Sequence, residues 1–446
     1  MDGSMFFSRA ALVTTWLVLL QGCATSSLFT AYPNQAVSFQ KAMSSQSSDV
    51  AINKVLADLD SERESADAML YMMERGRISQ IISHFDESKS DFQLVISEFD
   101  DQDLAATVEL SSMAAQGSSL LVNDNAIPYK GAGYERIFTH HHQAFNYLGE
   151  HDLEGASVEF RKVALEQRVL LEQHEKEVAE AYESAEENSI DLGPLSEEFA
   201  GLDTVAGNVK SSFQNAYTFY ASAAFWESTG ELNAALVDYK KAFEINSESE
   251  LLKQDIARVT QKQGGQPDYK DLNKPGENQG VVVVFFEDGF VPAKTEIKIP
   301  IPTFDGGFIS LAFPFYDTHQ WPVSQSLRAM DEEFNELGET EVVVDVGALA
   351  VKDLKEQIPA LLVRQALRAA AKYEMQKQAE AHGGWAGQLA ASAYNIISES
   401  ADRRSWLTLP HTGQVMRFNL NEGEREISFS TPRTSTKLKL DITANR

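Results

Sequence analysis

The chain has 446 residues, of which 66 are Asp or Glu and 38 are Lys or Arg, for a formal net charge of -28. A negative charge of that size repels phosphate backbones and anionic headgroups, which excludes nucleic acid as a partner and favours basic proteins or loosely held divalent cations. A content of 43% hydrophobic and 10% aromatic residues is enough for packed cores in two or three domains, and the single cysteine, Cys23, leaves no pair for a disulfide.

In chain order, Arg9 precedes an apolar run from Ala10 to Leu20, which ends in Leu20-Gln21-Gly22-Cys23. This 11-residue run is far short of the roughly 20 residues a bilayer span needs. A basic start, a short apolar stretch and small residues before a cysteine read as a bacterial lipoprotein signal. Residues 1–22 are then the signal peptide, Cys23 the lipidation site, and Leu20, Gln21 and Gly22 the rest of the lipobox. Met5 serves as the start that removes Asp2 from a region that should be positive. Acylation also explains an unpaired thiol in an exported chain, and several acyl chains anchor stably where one does not. Ala24, in place of Asp, resembles lipoproteins sorted onward to the outer membrane, so the expected location is that membrane, facing the periplasm.

Residues 23–34 read as a tether, and helical periodicity dominates 35–263, in segments such as Val50–Met73, Val158–Asn188 and Ser211–Thr229. Within them a spacing recurs. Ala223, Trp226, Gly230, Ala235, Tyr239 and Ala242 are separated by gaps of 3, 4, 5, 4 and 3, and so are Ala144, Tyr147, His151, Ala156, Phe160 and Val163. A weaker copy is read at Met69, Met72, Gly76, Ile81, Phe85 and Ser88. A small residue lets two helices approach, an aromatic one turn later fills the space, and a turn follows. The returning helix repeats the order on its inner face. This is the tetratricopeptide pattern, with its unit of 34 residues.

Gln263 to Gly276 is a Gly/Pro-rich linker (264–279), after which the period changes. Strands are expected over Val281–Glu287, Thr295–Ile301, Phe308–Phe313 and Glu341–Val346, then helices over Leu354–Gln378 and Gly387–Ser400. Further strands are expected over Ser405–Leu409, Gln414–Leu420, Glu426–Phe429 and Lys437–Ile442, making 280–446 an α+β domain. The fold class is mainly α, a tetratricopeptide-like helical hairpin solenoid followed by this smaller domain.

Few motifs carry chemistry. In His140-His141-His142 successive helical residues point about 100° apart, so the triplet does not converge on one ion, and one ring is expected buried with the others exposed. His174-Glu175 lacks a second histidine, since Val178 stands there. The acidic runs 98–103 and 183–188 lack the alternating ligands of a calcium loop, and Gly131-Ala132-Gly133 reads as a turn. Phe313 to Tyr316, Trp321 and Trp385 are expected to seal a core, and Arg403-Arg404 beside Asp402 to form an internal salt bridge. No nucleophile elbow or P-loop occurs, so neither catalytic residues nor a metal or cofactor are expected.

The stretches 68–80, 127–162, 223–246, 281–302 and 402–420 resemble a family of uncharacterised tetratricopeptide-containing bacterial lipoproteins, nearly end to end. The resemblance implies an envelope protein, sometimes encoded beside activators of peptidoglycan synthases, and it carries over no established activity. The expected function is a lipid-anchored scaffold that binds envelope proteins through its helical surface. The alternatives are a regulator of cell-wall synthesis whose C-terminal domain binds peptidoglycan or its synthases, and an envelope hydrolase.

Overall fold

A computed structural model describes residues 32–43, 48–109, 124–187, 199–270, 274–302, 308–370 and 400–444. The lipobox Leu20–Cys23, most of the expected tether, residues 371–378 of the helix expected over Leu354–Gln378, Trp385, and all but Ser400 of the helix expected over Gly387–Ser400 lie outside them.

Ten helices precede the first strand among the described residues: α1 Tyr32–Ala42, α2 Asp49–Asp60, α3 Ala68–Ile81, α4 Phe85–Glu109, α5 Gly133–Gly149, α6 Leu153–Glu187, α7 Asp203–Ala206, α8 Ala216–Ser228, α9 Leu232–Ile245 and α10 Glu250–Lys262. The tether expectation is thus shortened, because residues 32–34 already belong to α1. The single helix expected over Val50–Met73 is two: the chain turns at Ser61–Asp67, where Arg63 pairs with Asp60 at 3.0 Å and with Asp91 at 2.8 Å. The expected start at Ser211 moves to Ala216, because the Asn215 side chain caps the amides of Tyr217 and Thr218 at 3.0 and 3.3 Å.

Three helix hairpins, α3–α4, α5–α6 and α8–α9, share one turn. The second residue after each first helix has positive φ: 64° at Ser83, 62° at His151 and 85° at Gly230. In each, the next amide closes onto the carbonyl five residues back: His84 to Ser79, Asp152 to Tyr147 and Glu231 to Trp226, all at 2.8 Å. This is the Schellman arrangement, which satisfies carbonyls a helix end would leave open.

The turns correct the phase of the first repeat copy. Gly76 was expected at the turn, and it lies inside α3, where a Cβ would come within 2.9 Å of the Phe92 ring. The residues that follow the 3, 4, 5, 4, 3 spacing are Gly76, Ser79, Ser83, Ser88, Phe92 and Val95, and all but the turn residue are buried. Ile81, expected to pack, is 42% exposed. Gly76 and Ala144 stand 68 positions apart, twice the 34-residue period. Ala257 on α10 stands 34 beyond Ala223, and the same turn recurs at Gly264 with φ 80°. Of the expected packing residues, Ala144, Ala156, Phe160, Ala223, Trp226, Ala235, Tyr239 and Ala242 are buried, Tyr147 is half-buried, and Gly230 makes the turn.

The C-terminal region holds β1 Gln279–Asp288, β2 Thr295–Pro302, β3 Phe308–Phe315, β4 Arg328–Met330, β5 Glu336–Glu339, β6 Glu341–Asp345, β7 Thr412–Asn421, β8 Gly423–Ser430 and β9 Ser435–Ile442. A helix, α11, starts at residue 346, eight positions earlier than expected, and is described to 370. The strands form the sheets β1-β7-β6, β2-β3 and β5-β4-β8-β9, with antiparallel pairing throughout.

The unbroken apolar run in β1 has a physical reason: both faces of its sheet are covered. Val283 and Phe285 pack with the helices, and Phe285 lies 5.4 Å from Phe145, 5.7 Å from Tyr217 and 6.0 Å from Tyr220, ring to ring. Val282 and Val284 face a second, smaller core with Met416, Phe418, Ile427 and Phe429. The main core is continuous from α1 through the helices to β3, α11 and Leu409.

Candidate functional site

The strand expected over Ser405–Leu409 is absent: these residues form a strap pressed between the helices and the C-terminal region. Trp406 and Leu409 are wholly buried, and Leu407 is 1% exposed. A buried backbone needs a partner for every amide, and here helical carboxylates supply them. Glu135 of α5 accepts from the Trp406 amide at 2.7 Å, and Glu74 of α3 accepts from those of Leu407 and Thr408 at 2.8 and 3.1 Å. Gln40 of α1 donates to the Leu407 carbonyl at 2.9 Å. The Trp406 ring lies 5.8 Å from Phe92 and 5.7 Å from His142.

Arg404 fixes the other end of the strap. It pairs with Asp67, donates to the carbonyls of Ile127 and Asp124 at 3.0 Å each, and holds Asp402 at 2.6 Å. The Asp402–Arg404 salt bridge expected from the sequence is therefore present, extended onto the helices. The Asp124 carboxylate is held in turn by Arg368 of α11 at 2.8 Å.

Burial pushes the Glu74 carboxyl up to about 7, against hydrogen bonds from Thr408 and Tyr32 that pull it down. Asp353 of α11 is likewise pushed up to about 7 by burial, from 3.8; Lys294 opposes the rise and Glu135 adds to it. Between those two values the folded chain keeps a proton at Asp353 that the unfolded chain has released, so stability falls as pH rises, by at most about 1.4 kcal/mol per pH unit. Below the window both states are protonated, and above it both are ionised. Asp353→Asn should therefore gain stability relative to the native chain as pH rises from 4 to 7 in urea titrations; a difference independent of pH would reject this assignment.

The histidine triplet departs from expectation. His140, His141 and His142 are all buried, at 5%, 1% and 1% exposure, because α6, α8, α4 and the strap close round them through Glu159, Tyr217, Phe92 and Trp406. His140 Nδ1 lies 2.6 Å from Glu159 on α6. His141 packs 5.1 Å from the Tyr217 ring, and His142 stacks at 6.1 Å on Phe92. Burial, with the Arg77 charge beside it, lowers His141 to about 3 and holds His142 well below its ordinary value, so both rings are neutral. The triplet as a whole does not converge, since His140 turns to Glu159, but His141 and His142 do approach each other. The 100° step governs the Cα–Cβ bonds, whereas side-chain rotation brings the two rings to 5.3 Å with planes at 75°.

Elsewhere the expected placements are mixed. His174 stands 3.4 Å from Glu356 of α11. Phe313 and Tyr316 are buried, with Phe313 6.3 Å from Phe199, and Trp321 is half-buried against His411 at 5.6 Å. An open cavity of about 1120 Å³ lies between β1 and β9, lined by Val282, Val284, Phe286, Arg433, Thr436 and Leu438. Glu74 and Glu135, which hold the strap, were not singled out in the sequence. Their signal is a lone carboxylate in an otherwise apolar packing stretch, as in Leu70-Tyr71-Met72-Met73-Glu74.

Among the described residues no helix is long and apolar enough to cross a membrane. No protein-family model matches the chain, and neither a curated protein nor a solved structure does.

Proposed function

We propose that the protein is a lipid-anchored, non-catalytic scaffold of the bacterial cell envelope, held at the outer membrane through Cys23 and engaging protein partners through a tetratricopeptide-like helical array. The hairpins with a shared turn and a 34-residue phase support the repeat assignment. The observation that carries the binding reading is the strap. The face made by α1, α3 and α5 holds an extended segment by its backbone and seats one large aromatic, which is how helical repeat surfaces take peptides. In this chain that face is taken in cis, so partners engage the remaining helical surface or displace the strap.

The anchor has a direct test. Cys23→Ser should move the protein from the membrane to the soluble fraction with its thermal unfolding unchanged. Continued sedimentation with membranes would contradict lipid anchoring.

A second reading is favoured by the cavity beside β9: a regulator of cell-wall synthesis whose C-terminal region holds a peptidoglycan fragment or a synthase segment. Retention of the full chain on purified sacculi, lost on filling the cavity with Thr436→Trp, would favour it; no retention would remove it.

A further inference from the structure

We propose that His141, His142 and Glu287 bind one divalent transition-metal ion of the zinc class at the seam between α5 and β1. This stands independently of the scaffold reading. One ring nitrogen from each histidine and a carboxylate oxygen of Glu287 all lie within 4.8 Å of one another, the one such grouping of three among the described residues. Ligands on a four-coordinate zinc, with bonds of about 2.0–2.1 Å, sit about 3.4 Å apart. Small side-chain rotations close the difference.

A second observation points to a ligand. Nδ1 of His141 and Nε2 of His142 are buried and have no hydrogen-bond partner. A buried polar atom left unpaired costs about 1–3 kcal/mol, and buried polar groups are otherwise nearly always satisfied. Both rings of the grouping thus carry a nitrogen that no protein group serves. Imidazole with a single carboxylate suits Zn²⁺, Cu²⁺ or Ni²⁺, whereas Ca²⁺ and Mg²⁺ require oxygen ligands. Three protein ligands leave a fourth position for water.

The surroundings set the affinity. Arg77 pairs with Oε2 of Glu287 and holds Gln80 with its other nitrogen at 2.8 Å. That leaves Oε1 for the ion and makes Arg77 an outer partner that orients the carboxylate. Its charge also repels a cation, so binding should be weaker than at a comparable site without it. Of the three, Glu287 lines the open cavity beside β9.

Equilibrium dialysis of the metal-free full-length chain against Zn²⁺ tests the proposal. One saturable equivalent per chain is expected, with affinity reduced at least tenfold in both Glu287→Gln and His141→Asn. Absence of a saturable equivalent, or an equivalent unchanged in both variants, would overturn it. Co²⁺ added to the native chain gives a readout that does not depend on how the variants fold. The intense visible bands of a four-coordinate nitrogen–oxygen site support the assignment, and the weak bands of the hexa-aqua ion refute it.

Discussion

Trp406→Ala is expected to lower the stability of the whole chain by about 3–5 kcal/mol, the range for deleting a fully buried large aromatic. The side chain has no exposed surface and fills the space between Phe92 and His142. Its Nε1 donates to Thr408 at 3.0 Å, a bond that cannot be remade from the outside. Because the residues around it come from α3, α4, α5 and the strap, the loss should appear in a single urea transition followed by both far-ultraviolet circular dichroism and intrinsic fluorescence. Trp406→Phe should recover most of the loss. A cost below about 1 kcal/mol would mean that the strap is not seated in the helices.

Glu227→Gln should be comparably damaging, at about 3–5 kcal/mol, because it breaks a buried ionic network by removing one partner. Glu227 of α8 binds Arg258 of α10 at 2.7 Å, Arg417 of β7 at 3.1 Å and Lys262 at 2.9 Å. The Glu227, Arg258 and Arg417 side chains are 5%, 3% and 5% exposed. Burial alone would raise the Glu227 carboxyl; the Arg258 hydrogen bonds and the Arg417 and Arg258 charges hold it far below the ordinary carboxylate range. Asp255 pairs with Arg258 as well and stands 3.9 Å from Arg417, an ion pair without a hydrogen bond, so Glu227 is the carboxylate that hydrogen-bonds both arginines. A buried network is poorly screened, so the cost should persist from low to high salt. A loss that vanishes in 1 M salt would identify the network as a surface feature.

These two sites also show where the sequence was legible. Helix hairpins could be read because small and aromatic residues recur at fixed gaps, and strands β1, β2, β3, β7, β8 and β9 because their β-branched and aromatic runs end at turn residues. The phase of the first hairpin is not legible because Gly76 has the look of a turn residue. It serves instead as the small residue under Phe92, and Ser83 adopts the left-handed turn. Strands β4 and β5, three and four residues long and carrying Arg328, Glu336 and Glu339, give no apolar run to detect. The strap was read as a strand because Trp406, Leu407 and Leu409 are apolar. Its actual partners, Glu74 and Glu135, are 333 and 271 positions away from the amides they bind, and pairing with side chains leaves no periodic trace. The burial of all three histidines leaves no local trace for a related reason, since Tyr217 and Trp406, which cover His141 and His142, stand 76 and 264 positions further on.

Arg417 belongs to the same lesson. In β7, Val415 and Arg417 face the helices while Met416, Phe418 and Leu420 face the second core, a strict alternation that the sequence displays. What the sequence does not display is that the helix-facing arginine ends on a buried glutamate from α8.

The central claim, an anchored scaffold that meets its partners through helices, is tested most directly by photo-crosslinking in living cells that express the chain. A crosslinking residue placed at Val158 or Leu165, which are 44% and 46% exposed on α6, is compared with one at Leu438, 49% exposed on β9. The account predicts a discrete adduct with an envelope protein from the α6 positions, lost when Cys23→Ser releases the chain from the membrane. Adducts confined to Leu438, or α6 adducts that survive loss of the anchor, would contradict it.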